Sequence, residues 1–106
     1  MDDINEKIRK FSLLRIAKVF NVSVDSLRKD SKFGEGNLQA STAPSLFKRM
    51  EHDYIEDDIY NAADRKIYKE ISSGNLTIHT VDDYCNHMIR CYEIKPTDVK
   101  RVLGMD

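Results

Sequence analysis

The chain has 106 residues and a net charge of −1, and no Pro-, Gly- or Ser-rich stretch divides it, so one domain spanning 1–106 with one modest core is expected. Hydrophobic residues at 41% and charged residues at 33% exclude wholesale disorder, and apolar runs of only a few residues exclude a membrane span. The acidic start, Met1-Asp2-Asp3-Ile4-Asn5-Glu6-Lys7, has the wrong chemistry for a targeting peptide, and a cytoplasmic protein is expected.

Charge is unevenly spread. Residues 1–50 carry ten Lys or Arg against six Asp or Glu, whereas Glu51 to Asp64 holds six acids and no Lys or Arg. Between Ile4 and Phe20, the residues Ile4, Ile8, Phe11, Leu14 and Ala17 recur at helical spacing with Lys7, Arg9, Lys10 and Lys18 between them, which predicts an amphipathic first helix. From Asn21 to Ala40 the period is lost. Gly34, Gly36 and Asn37 mark a long loop pinned by Val22, Val24, Leu27, Phe33 and Leu38, and so long a loop in a small domain usually carries function.

Ser41-Thr42-Ala43-Pro44 reads as the start of a second helix: a hydroxyl caps free backbone N–H groups, and proline is tolerated in the first turn. Leu46, Phe47, Met50 and Tyr54 form its buried stripe. A third helix is predicted from Asp57-Asp58, carrying Ile59, Tyr60, Ala63, Ile67 and Ile71 and ending at Ser72-Ser73-Gly74-Asn75. Thr80 followed by Asp83 resembles a capping box ahead of Val81, Tyr84, Cys85, Met88, Ile89 and Tyr92, which follow the 3.6-residue period closely. Lys95-Pro96-Thr97 breaks that helix, and Thr97 is positioned to cap a short tail helix with Val99, Val102 and Leu103. No long alternating pattern competes for a strand, so the expected class is all-α: a small helical bundle with extra helical material after its second helix and a short C-terminal helix.

Several segments fall in a recognisable order: Phe20-Asn21-Val22 at the end of the first helix, Asp30-Ser31-Lys32-Phe33, Leu38-Gln39-Ala40-Ser41-Thr42 at the start of the second, Met50-Glu51-His52-Asp53-Tyr54 along it, and Thr77-Ile78-His79-Thr80-Val81 at the start of the last long helix. In that order they resemble the acyl carrier protein family over roughly Ile4 to Tyr92, with Ser41 at the serine of the family's Leu-Gly-x-Asp-Ser-Leu motif. Gln39, Ala40 and Thr42 stand where the family has glycine, aspartate and an apolar residue. The resemblance implies a carrier whose Ser41 is esterified by 4′-phosphopantetheine, the thiol of which holds an acyl or aminoacyl group as a thioester. It also implies docking on a phosphopantetheinyl transferase and on acyl-transfer enzymes through Thr42, Met50, Glu51, Asp53 and Glu56. A phosphodiester at a helix N-terminus meets unsatisfied N–H groups and the positive end of the helix dipole, and acids along the helix steer it to basic partner surfaces.

Other readings use the same residues. Ser41 serves equally as a plain N-cap, in which case the bundle is an unmodified protein-interaction module with an unidentified protein partner. Residues 14–32 also look like a helix-turn-helix: Ala17 at the crossing, Asn21 in the turn, Leu27 buried, and Arg28, Lys29 and Lys32 toward phosphates. The charge of −1 and the acidic block offer no broad basic face, so nucleic acid is not the expected partner. His87 and Cys91 lie one helical turn apart but cannot complete a tetrahedral zinc site, so no metal is expected, and Cys85 and Cys91 read as small apolar residues of one helix. With no phosphate loop and no nucleophile, base and acid set, the chain is expected to be a monomer that binds or carries and is not itself an enzyme.

Overall fold

The computed structural model describes residues 3–33 and 51–105, with side chains in the second stretch from Tyr54 onward. The described residues form five α-helices: α1 (Asp3–Phe20), α2 (Glu51–Ala62), α3 (Arg65–Ser72), α4 (Val81–Ile94) and α5 (Pro96–Leu103). The one β pairing recorded among them is an isolated antiparallel bridge between Lys32 and Thr80. The protein is thus a small all-α bundle, and no helix among the described residues is long and apolar enough to cross a membrane.

Helix α1 has Asp3 and Glu6 in its first turn and Lys18 in its last, in keeping with the helix dipole. Its buried face is Ile8, Ser12, Ile16, Ala17 and Phe20. Ile4 and Leu14, expected inside, are 36% and 42% exposed. Ile8 and Ala17 are buried as expected, and Ser12, Ile16 and Phe20 complete the inward face in place of Ile4 and Leu14. Asn21 ends α1 in the left-handed conformation (φ 56°), and the Val22 N–H returns to the Ala17 carbonyl at 3.0 Å.

The chain then makes one 3₁₀ turn, Val24–Ser26, capped by the Ser23 hydroxyl. Residues 29–33 are tied to the start of α4 by backbone bonds: Phe33 N–H to His79 O (2.8 Å), Val81 N–H to Ser31 O (2.9 Å) and Asp82 N–H to Lys29 O (3.0 Å). Through this strap the Phe33 ring meets Phe20 at 6.1 Å and the edge of Tyr84 at 6.2 Å.

The expected helix beginning at Asp57-Asp58 is corrected. These residues lie in mid-α2, which runs on to Ala62, and the next helix begins after Asp64, whose carboxylate accepts the Ile67 N–H at 2.8 Å. The break follows from that cap, because an acid bound to the first turn of α3 has extended backbone. Gly74 (φ 84°) follows α3 where expected. The capping box of α4 is complete: the Asp83 N–H donates to the Thr80 hydroxyl and the Thr80 N–H donates to the Asp83 carboxylate, each at 3.1 Å. The tail helix differs in its cap. Pro96 occupies its first turn and Lys95 the cap position, with Thr97 inside the helix, because the fixed φ of proline already begins the helical turn. Gly104 closes α5 in the left-handed conformation.

Helix α4 is the centre of the bundle and packs on α1, α2 and α5. Tyr84, Cys85, Met88 and Cys91 from α4 are fully buried with Ile8 and Ile16 of α1, Ile67 of α3 and Val99 of α5. At roughly 25 cal/mol per Å² of apolar surface removed from water, this shared core is the main source of cohesion.

Candidate functional site

Ser41, Thr42 and Met50 lie outside the described residues, as does the predicted helix start at Ser41 to Pro44. Glu51 and Asp53 sit on the first turn of α2 as described, and their side chains lie outside the description. Glu56 is exposed on α2, at the edge of an apolar cleft of about 330 Å³.

That cleft lies between α2, α3 and the segment that joins α3 to α4. Its walls are Phe33, Ile55, Ile59, Ile71, Leu76 and Ile78, with Glu56, Tyr60, Thr77 and His79 supplying polar atoms. The volume is at the small end of ligand sites, which run from roughly 300 to 1,000 Å³. Leu76 and Ile78, half-buried, lie in the segment from α3 to α4 and face the cleft across from Ile55 and Ile59, whose buried side chains form the floor. The cleft thus draws its lining from Phe33, which precedes residues 34–50 in the chain, and from Ile55 onward in α2, which follows them.

The acidic block does not act as one patch. Asp58 is buried (4% exposed); its Oδ2 accepts from Arg15 Nε at 2.8 Å and from the Tyr84 hydroxyl at 2.9 Å, and its Oδ1 accepts from Arg15 Nη2 at 3.1 Å. The hydrogen bond to Asp58 raises the pKa of Arg15 against the opposing effect of burial. Burial, reinforced by the Asp58 charge, raises Tyr84 well above the usual phenol value. Asp64 is the cap of α3. Two of the six acids are therefore structural. The signal that could have marked Asp58 is its place on the apolar face of a helix, one residue before Ile59.

His87, on α4, is buried and donates from Nε2 to the Ile59 carbonyl at 2.8 Å. This bond assigns the proton to Nε2, and burial lowers the pKa of the ring. Cys91 Sγ lies 3.6 Å from the same ring. Burial pushes the Cys85 and Cys91 thiols each up to about 11, and both cysteines are free. Among the described residues no group of three His, Cys, Asp or Glu gathers as a metal-binding set.

The residues named for a helix-turn-helix are separated in role. Ala17 is buried and Asn21 makes the left-handed turn, but residues 23–33 contain the single 3₁₀ turn and no second α-helix. The carbonyls of Lys29 and Ser31 are committed to α4. Compared with models of protein families, with curated proteins and with solved structures, the chain has no match.

Proposed function

We propose that the chain is a carrier protein in which Ser41 is esterified by 4′-phosphopantetheine, whose thiol holds an acyl or aminoacyl group as a thioester. The observation that supports this reading is the apolar cleft between Phe33, α2 and the 76–79 segment. Alkyl groups lose contact with water there, and the cleft adjoins the two chain segments that flank residues 34–50. Glu51, Asp53 and Glu56 on α2, with Thr42 and Met50 before them, are the residues that would meet a phosphopantetheinyl transferase and acyl-transfer enzymes, carboxylates against basic partner surfaces.

Intact-mass spectrometry after co-expression with phosphopantetheinyl transferases of different specificity tests the reading. The expected result is a gain of one phosphopantetheine group, absent in Ser41→Ala. No gain with any transferase overturns it.

The second reading is an unmodified interaction module, in which the same cleft takes apolar side chains of a protein partner. Gln39, Ala40 and Thr42 around Ser41 favour it, and an unmodified mass combined with saturable partner binding at Ile55 and Ile59 would establish it.

A further inference from the structure

A second concave surface shares no residue with the cleft described above. It is a groove of about 350 Å³ between α1 and α5, lined by Phe11, Leu14, Arg15 and Lys18 of α1 and by Arg101, Val102 and Leu103 of α5 with Gly104 after it. Leu14 is 42% exposed, an apolar side chain left at the rim while Ile16 lies inside.

The charged side chains that line the groove, Arg15, Lys18 and Arg101, are all cationic, with Asp98 beside Arg101 at its edge. Lys7, Phe11, Leu14 and Lys18 follow each other at spacings of four, three and four residues and so form one stripe along α1, about 16 Å long at 1.5 Å per residue. Arg15 is neutralised by Asp58, as Arg9, farther along α1, is by Asp82. Lys7 and Lys18 form no recorded ion pair among the described residues. Across the groove, Arg101 is 76% exposed and touches Asp98 at only 3.4 Å, while Asp98 is held more closely by Lys95 at 3.1 Å.

We propose that the groove between α1 and α5 is a docking site for an acidic amphipathic helix of a partner protein. Apolar residues of that helix at i, i+3, i+4 and i+7 would cover Phe11, Leu14 and Val102, and Glu or Asp on its flanks would meet Lys7 and Lys18 on one side and Arg101 on the other. The occupant is argued from charge complementarity along two sides of an apolar floor. A basic or neutral helix would leave these cations facing like charge or nothing, and a groove bordered by helices along both sides matches a third helix in shape. The proposal stands independently of any modification at Ser41.

The test is titration of the full chain, isotopically labelled, with a panel of labelled synthetic helical peptides. Each carries apolar residues at i, i+3, i+4 and i+7, with flanks of Glu, of Lys, or of Glu in scrambled order, and amide shifts are followed by NMR and affinity by fluorescence anisotropy. Saturable binding of the Glu-flanked peptide, with shifts on 7–18 and 98–104, is expected. Lys18→Glu and Arg101→Glu should each weaken it about tenfold and steepen the loss when combined, and the combined variant should gain affinity for the Lys-flanked peptide. Leu14→Glu should abolish binding of the Glu-flanked peptide, while circular dichroism shows each of these surface variants folded. The proposal is overturned if no Glu-flanked peptide binds, if the scrambled peptide binds equally, if the shifts fall on Ile55, Ile59 and 76–79 instead, or if the charge reversals leave affinity unchanged.

Discussion

The hydroxyl of Tyr84 and the guanidinium of Arg15 converge on one carboxylate oxygen, Oδ2 of Asp58, at 2.9 and 2.8 Å. One acid thereby ties α1, α2 and α4 together at the only depth where α2 carries a buried charge among its described side chains. Removing a partner leaves the remaining charge uncompensated. Asp58→Ala is expected to lower the unfolding free energy by about 3–5 kcal/mol, and Tyr84→Phe, which keeps the ring and loses the donor, by about 1.5–3 kcal/mol. Urea denaturation measures both. A loss well under 1 kcal/mol in Asp58→Ala would show that the three helices do not depend on this node.

Cys85 and Cys91 respond to base. Their thiols are held at about 11, against an ordinary 9.0, by burial. An acid with a raised folded pKa adds stability that is complete below its unfolded value and is lost as pH climbs toward the folded one. The urea midpoint is therefore expected to fall between about pH 9 and 11, with Tyr84 adding the same sign above its own ordinary value of 10.0. Iodoacetamide at neutral pH should label the folded chain slowly and the urea-unfolded chain fast. Equal rates would contradict the burial of the two thiols.

His87 responds in the opposite direction. Burial lowers its pKa below the ordinary 6.5, so the unfolded chain binds the proton first as pH falls and stability drops below about pH 6.5. Denaturation at pH 7.5 and pH 5 should show this loss, and His87→Gln, which retains a donor for the Ile59 carbonyl, should remove the part of the slope that belongs to the ring. A slope unchanged in His87→Gln would assign it to other groups. Asp83 adds a separate loss at lower pH: desolvation raises its pKa, but hydrogen bonds from His79 and Thr80 outweigh that and hold it below 3.8.

Thr80 has two tasks, since its hydroxyl caps α4 and its backbone bridges to Lys32. Thr80→Ala removes only the cap and is expected to cost about 1 kcal/mol. Hydrogen exchange should locate the effect, with faster exchange at Asp83 and little change at Phe33, whose N–H is held by the His79 carbonyl. Equal acceleration at both sites would mean that the strap depends on the cap.

Helices with strong local signals were legible in advance. The Thr80/Asp83 box, the Gly74 stop and the left-handed Asn21 are all read from residue type and spacing, because each is decided within four residues of chain. The second half of the acidic block was not legible in that way. Asp57-Asp58 carries a helix-start composition, yet Asp58 is in mid-helix because Arg15, 43 residues earlier, and Tyr84, 26 residues later, solvate it. Asp64 took the capping role instead, within the same short stretch of acids. The apolar cleft was equally invisible, since Phe33, Ile55 and Ile78 come from three separate segments.

By itself, then, the amino-acid sequence determined the helical class, most helix ends and the apolar make-up of α4, since propensity, capping and the 3.6-residue period act between near neighbours. Tertiary structure alone decided that Ser12 and Ile16 and not Ile4 and Leu14 turn inward on α1, that Asp58 is the acid buried in an ion pair among the described residues, and where the apolar cleft and the basic-rimmed groove lie. Those outcomes depend on which side chains arrive from distant segments to fill space and neutralise charge, and that is settled only when the helices pack.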